Sequence, residues 1–380
     1  MSATGTPIKI GYFGKIPARG DFIKATDNAA LITLLDNWLA QTMEMIARDA
    51  RWKIIYDSVK PLHFVVMGPR SRRAVAGHLR ASGDQSQRRF PFISMSAFDV
   101  EDPVAFVSNS ALILSRLWSR LESLTNAVLN APDPGQALQT LASTTLELDI
   151  NSAGYSAAFT DFLELQTTGS LQQMLEQAGF SGNLRQLLLA LGLLLQPVMA
   201  STSSRLDKNL ILPLPRDPMY RGLVASFWMH LITPFLSRAD FELALFLTRL
   251  EEQPCMFLGF SGASPRTLHS IMDTQAGAEH NIAFDEADWV EEHVGSDYGI
   301  QKLSSYLAPS RPVAAISHGL VPRSFHRSLN LEYEYSFLPQ PPELAGSGLA
   351  GLHRQPGTKR RPPRRHAGPR PGAGHRHGPR

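Results

Sequence analysis

Two long stripes of apolar residues at helical spacing do most to limit the folds open to this chain. Leu31, Leu34, Leu35, Trp38, Leu39 and Ile46 recur in steps of three and four, as one face of an amphipathic helix requires. Asp27 stands where such a helix takes a capping side chain. Leu114, Leu117, Trp118, Leu121, Leu124 and Val128 repeat the pattern. Around them lie short runs rich in β-branched and aromatic residues, from Ile8 to Phe13 (ended by Gly14), Leu62 to Met67 and Phe90 to Phe98, which read as strands. The order β-α-β-β-α argues for an α/β or α+β domain over residues 1–130.

A turn-rich break, Ala131-Pro132-Asp133-Pro134-Gly135, follows. Residues 136–199 read as a mostly helical segment. Their most apolar run, Leu187 to Leu195, is far shorter than the roughly 20 residues a bilayer span needs, so it predicts a buried helix. Residues 200–308 read as a second mixed α/β unit. Its expected strands are Asn209 to Leu214, Phe241 to Thr248 and Met256 to Phe260. Its helices start at Asp217-Pro218, running toward Phe235, and at Ser264-Pro265, running through Met272, a capping residue before a proline suited to the first turn. Asp297 to Leu307 closes the unit as a short helix.

Beyond Pro309 the periodicity decays, and residues 309–380 are expected to be poorly ordered. Positions 339–380 are rich in Pro, Gly, Arg and His, a composition that buries too little apolar surface to offset chain entropy, so this tail is expected to be disordered. It also distorts the charge balance. The net charge of +3 includes eight arginines and one lysine between His353 and Arg380; setting them aside leaves 28 basic residues against 34 acidic ones. The body is therefore mildly acidic, and nothing in it points to nucleic acid. Lys359-Arg360-Arg361 and Arg364-Arg365-His366 suit phosphate contacts with nucleic acid or an anionic membrane, without an aromatic residue to stack on bases. The onset of the tail after Pro309 also fits a read-through or frame-shifted extension. The single cysteine, Cys255, allows no internal disulfide, and Met1 to Pro7 carries no basic-then-apolar leader; both fit a reducing, cytoplasmic setting.

The stretch with the most chemistry is Gly11-Tyr12-Phe13-Gly14-Lys15-Ile16-Pro17-Ala18-Arg19-Gly20-Asp21-Phe22, a strand running into a loop. Gly14 and Gly20 permit unusual backbone angles. The spacing is not that of a phosphate loop, and the tripeptide Arg19-Gly20-Asp21 is taken as chance. Two readings stay open. Lys15, Pro17, Arg19, Gly20 and Asp21 form an interaction loop with partly exposed cations, or Arg19 and Asp21 lock the loop onto the sheet. Gly-Lys-Ile-Pro-x-Arg-Gly-Asp-Phe after an N-terminal strand resembles the opening of the TagF/ImpM family. Arg89-Phe90-Pro91-Phe92 is similar to a second motif of that family. Asp207 to Leu214, Gly259 to Pro265, Asp297-Tyr298-Gly299 and Lys302 to Tyr306 resemble the C-terminal half of its longer members. The resemblance implies an N-terminal antiparallel sheet flanked by helices. It also implies a non-catalytic, cytoplasmic regulator, a repressor of type VI secretion acting after translation, whose partner is the forkhead-associated scaffold protein. No catalytic residue, cofactor or metal comes with it.

The enzyme alternative centres on Gly259-Phe260-Ser261-Gly262-Ala263, near the Gly-x-Ser-x-Gly elbow of serine hydrolases. Asp273 or Asp288 with His280 or His293 follow in the expected chain order. A plain loop before a helix starting at Ser264 explains the same residues. Glu279-His280 and Glu291-Glu292-His293 accompany the acidic stretch Asp285 to Asp297, read as a solvated face or partner surface. Without His-Glu-x-x-His, a zinc protease is not indicated. From composition, deleting residues 339–380 is expected to leave the thermal midpoint unchanged within about two degrees. Differential scanning calorimetry checks this, and a drop of many degrees would show that the tail packs on the body.

Overall fold

A computed structural model describes residues 5–316, apart from residues 27, 151 and 152. The expectations for residues 317–380, and for Asp27 as a cap, lie outside the described residues. The strands are β1 (Thr6–Lys9), β2 (Gly11–Gly14), β3 (Ile23–Ala25), β4 (Leu62–Met67), β5 (Arg73–Arg80), β6 (Phe92–Asp99), β7 (Thr145–Leu148), β8 (Asn209–Pro213), β9 (Leu243–Leu250), β10 (Gln253–Gly259) and β11 (Asn281–Ile282). The helices are α1 (Ala29–Ile46), α2 (Trp52–Ser58), α3 (Pro103–Asn130), α4 (Gly135–Ser143), α5 (Ala153–Leu165), α6 (Thr168–Glu176), α7 (Leu184–Leu195), α8 (Pro218–Ile232), α9 (Pro265–Met272), α10 (Thr274–Gly277), α11 (Glu291–Val294) and α12 (Tyr298–Ser305).

Nine strands form one sheet in the order β11-β8-β10-β9-β4-β5-β6-β2-β3, while β1 and β7 pair separately. Every pairing is antiparallel except β11 with β8. The mixed α/β class is as the sequence indicates, with a helical middle. Residues 1–130 and 200–308 meet within the sheet, where β4 lies against β9 with Val65 opposite Leu245.

Alternation along the strands explains the two helical layers. Val65 and Met67 on β4 and Leu245 on β9 share one core with Leu114, Leu117 and Trp118 of α3, Phe227 and Trp228 of α8 and the leucines of α7. Their neighbours Phe64 and Phe246 point the other way, into a core with Leu35, Trp38 and Leu39 of α1 and Leu268 and Ile271 of α9. Each buried Leu or Phe contributes about 1.5–3 kcal/mol of transfer free energy. Leu34, part of the predicted stripe, is exposed instead. The cap of α1 is Asn28, whose side chain accepts from the Leu31 N–H. Asp217 and Asp297 cap α8 and α12 as their sequence positions indicate. Ser264 occupies the cap position of α9 without a side-chain bond.

The expected single strand from Ile8 to Phe13 divides. The Ser96 hydroxyl donates to the Lys9 carbonyl at 2.8 Å, beyond the last rung between β2 and β6, Gly11 to Met95. Upstream of that point the chain pairs with β7. Central strand β5 was missed because Ala74, Ala76 and Gly77 carry little strand propensity. Helix α3 starts well before Leu114, because Asp102 accepts from the Ala105 N–H ahead of Pro103.

On the α3 side, His63 and His78 sit opposite each other across β4 and β5, their Nδ1 atoms 3.0 Å apart. His63 stacks on Trp118 at 5.6 Å. Burial, with the charge of Arg221 adding to it, lowers His63 to about 4. Burial, with the charges of His63 and Arg80, lowers His78 to about 2. Both rings are neutral near pH 7, so Glu122, 3.7 Å from His63 Nε2, makes no ion pair with it. Because the folded values lie below the ordinary 6.5, protons favour the unfolded chain. The stability tied to neutral rings is complete above pH 6.5 and falls as pH drops toward about 4, at up to about 1.4 kcal/mol per pH unit for each ring. Urea unfolding from pH 7 to 4.5 should show this loss, and His63→Phe with His78→Phe should flatten it; an unchanged slope would contradict the assignment.

Candidate functional site

The loop between β5 and β6 turns on Asp84, whose Oδ1 accepts from the backbone N–H of Ser86 at 3.0 Å and of Arg88 at 2.9 Å. Such a turn is a short aspartate's ordinary local bonding. Its Oδ2 accepts from Lys15 Nζ at 2.9 Å and Arg88 Nε at 2.7 Å. The Asp84 side chain is fully covered and that of Lys15 is 8% exposed, so each charge depends on the other. Burial works to raise the Asp84 carboxyl. The bonds from Lys15 and Arg88, with the Lys15 charge, outweigh it and hold the group well below its ordinary value. Lys15 Nζ also lies 4.8 Å from the centre of the Phe22 ring, a cation–π contact.

The same turn holds the Lys15–Asp21 loop by its backbone. Gln85 N–H donates to the Arg19 carbonyl at 2.9 Å, and Arg19 N–H donates to Ile16 O at 3.2 Å. Arg88 Nη2 donates to the Gly20 carbonyl at 2.6 Å. Pro17, Arg19, Gly20 and Asp21 stand exposed on this support. The two cations of the loop therefore part company, Lys15 inside and Arg19 out. No Arg19–Asp21 pair forms, because Asp21 Oδ1 accepts from the neighbouring Phe22 N–H at 2.8 Å. Among the described residues the Arg19 guanidinium, 47% exposed, reaches Asp133, itself 86% exposed, at 3.6 Å, and the Ala18 carbonyl at 3.5 Å. Gly20 adopts no left-handed backbone angle, unlike the expectation for it.

The structure brings the second motif against the first. Phe22 meets Phe90 edge-on at 4.8 Å and stacks on Phe13 at 5.7 Å. Phe90 also meets Phe13 edge-on, at 5.9 Å. Arg89 grips Asp57 through Nε and Nη2 at 2.8 and 2.6 Å and lies over Trp52 at 5.9 Å; its hydrogen bond keeps the Asp57 carboxyl below its ordinary value. Tyr56 takes the Ser82 N–H at 2.9 Å and donates to Ser82 O at 3.0 Å. Helix α2 thus anchors one end of the Asp84 loop. Gly14, with φ +133°, is opposite Phe92 at the end of β2. A Cβ there would lie 2.1 Å from the Pro91 carbonyl oxygen, so glycine is required by both angle and space.

Around Ser261 the order is strand, turn, helix, with Gly262 at φ +57°. Ser261 is exposed. Asp273 is committed to the N-terminus of α10, accepting from Gln275 and Ala276 N–H at 3.1 Å. His293 packs edge-on against Trp289 at 5.9 Å. No hydrogen bond joins Ser261 to His280 or His293 among the described residues. No helix among them is long and apolar enough to cross a membrane.

The family model described as "TagF N-terminal domain, Type VI secretion system-associated" matches residues 11–144, a span that begins at β2 and takes in both motifs and the Asp84 turn. Residues 11–144 are a TagF N-terminal domain. The description of that model ties this region to type VI secretion. Among solved structures it is similar to the crystal structure of PA0076 from Pseudomonas aeruginosa PAO1, at 22% identity and a TM-score of 0.30. The match covers 35% of this chain and 61% of that one, under two thirds of its length. No curated protein matches.

The exposed loop of Pro17, Arg19, Gly20 and Asp21 stands out in the sequence, whereas its support, Asp84, Arg88, Tyr56 and Asp57, does not. The turn-like run Ser82-Gly83-Asp84-Gln85-Ser86 was the available signal, along with a lysine set between Gly14 and Ile16 that needs a counter-charge. Lys15→Met removes the buried cation from Asp84, leaving it the largely exposed Arg88 and two backbone N–H donors, and is expected to lower the thermal midpoint by roughly 5 °C. Arg19→Ala should change it by no more than about a degree. Calorimetry on the two variants compares them directly, and equal effects would contradict this division of roles.

Proposed function

We propose that this protein is a non-catalytic accessory protein that represses type VI secretion after translation. In this reading it binds the forkhead-associated scaffold protein of the system through the surface from Pro17 to Phe22. The observation that carries it is the contrast within one loop, in which backbone and Lys15 are fixed from below while Arg19, Asp21 and Phe22 face solvent. A turn that only connected β2 to β3 would need neither the buried ion pair nor the exposed aromatic ring. Rigid scaffolds displaying polar and aromatic groups on loops are the common form of a recognition surface. The family match over residues 11–144 supports the setting, and the exposed, firmly held loop supports action by contact.

The test uses Arg19→Ala in the native cell and in purified protein. The expected result is secretion released from control and lost scaffold binding, with an unfolding free energy within about 1 kcal/mol of the parent. Intact repression and binding would contradict the role of the loop. Fluorophosphonate labelling that disappears in Ser261→Ala would contradict the non-catalytic reading.

A further inference from the structure

Gly20 lacks two usual structural reasons for a glycine, a left-handed backbone and a crowded Cβ position. Its backbone is outside the left-handed region, and a Cβ built on it would have no atom within 4 Å. Gly14, six positions earlier, shows the contrast, since both its angle and its neighbours exclude a side chain. Nothing inside the molecule therefore calls for a bare backbone at Gly20. With no side chain there and open space above it, the main chain at Gly20 is open to close approach by another molecule.

The groups around Gly20 indicate what that molecule carries. Arg88 donates to its carbonyl at 2.6 Å and remains 60% exposed. Of its five N–H donors, Nε is used on Asp84 and Nη2 on Gly20, so Nη1 faces no described acceptor. Arg19 is next in sequence, and its pair with Asp133 is long and open to water at 3.6 Å, a contact of little worth. At Asp84 one carboxylate is shared between Lys15 and Arg88, so the largely exposed Arg88 guanidinium keeps donors to offer at the surface. The nearby Asp21 carboxylate is turned onto the Phe22 N–H. Phe22, 44% exposed above Phe13 and Phe90, adds an apolar surface beside the guanidinium groups.

We infer that the surface centred on Gly20 receives a carboxylate-bearing segment of a partner protein, with the carboxylate between Arg19 and Arg88 and an apolar side chain on Phe22. This rests on the reading of the loop as a partner surface and names the chemistry of the partner. Guanidinium groups match carboxylates in pairs of hydrogen bonds, and the bare Gly20 lets the segment lie flat on the loop.

The experiment titrates isotope-labelled full-length protein with a short capped peptide of glutamates around a leucine, with its glutamine counterpart, and with inorganic phosphate. The expected result is saturable shifts of the Arg19, Gly20 and Phe22 amides with the glutamate peptide alone, lost in Gly20→Leu and Arg19→Glu. Gly20→Leu and Gly20→Ala should keep the parental thermal midpoint. Equal shifts with glutamine or with phosphate, full binding by Gly20→Leu, or a midpoint many degrees lower in Gly20→Ala would each overturn the inference. Lost secretion control in Arg19→Ala without glutamate-peptide binding overturns this inference and leaves the regulatory reading standing. Peptide binding with intact secretion control in Arg19→Ala does the reverse.

Discussion

The buried ion pair between Lys15 and Asp84 is the contact on which the arrangement of the N-terminal site depends. Neither charge is tolerable alone in covered surroundings, so the pair fixes two loops against each other that are 69 residues apart in sequence. With Asp84 in place, its turn offers a backbone N–H to Arg19 O and a guanidinium to Gly20 O. The loop then holds its shape without burying its own tips. Arg89 and Tyr56 extend the same support downward to α2. The result is a three-tier stack of helix, turn and loop.

The sheet gives that stack a rigid base. Strand β2 lies between β6 and β3, and Gly14 lets its end pass close to Pro91. The two family-like motifs are thus one structural unit, joined by the phenylalanine cluster of Phe13, Phe22 and Phe90. Strands contributed by residues beyond 200 extend the sheet away from this end. The site is therefore built wholly within the residues matched by the TagF N-terminal domain.

What could be read from the sequence was local. Caps at Asp217 and Asp297 and the start of α9 at Pro265 depend on neighbours a few residues away, and the helical stripes on α1 and α3 declare themselves by period. Long-range pairing left no such mark. Strand β5 is made of small residues whose place is set by β4 and β6. The division of Ile8 to Phe13 into two strands depends on β7, far along the chain. At the site, Arg19 and Asp21 looked like natural partners by proximity, yet Asp21 satisfied a nearer backbone N–H first. The true counter-ion of the loop lay in a turn with no apolar pattern to flag it.

The Lys15–Asp84 pair orders the loop from Pro17 to Phe22. Hydrogen exchange at the Gln85 amide, which donates to the Arg19 carbonyl at 2.9 Å, measures it most directly. In Lys15→Met this amide should lose its protection while the amides of central strand β6 keep theirs. Unchanged protection of Gln85 in that variant would contradict the account.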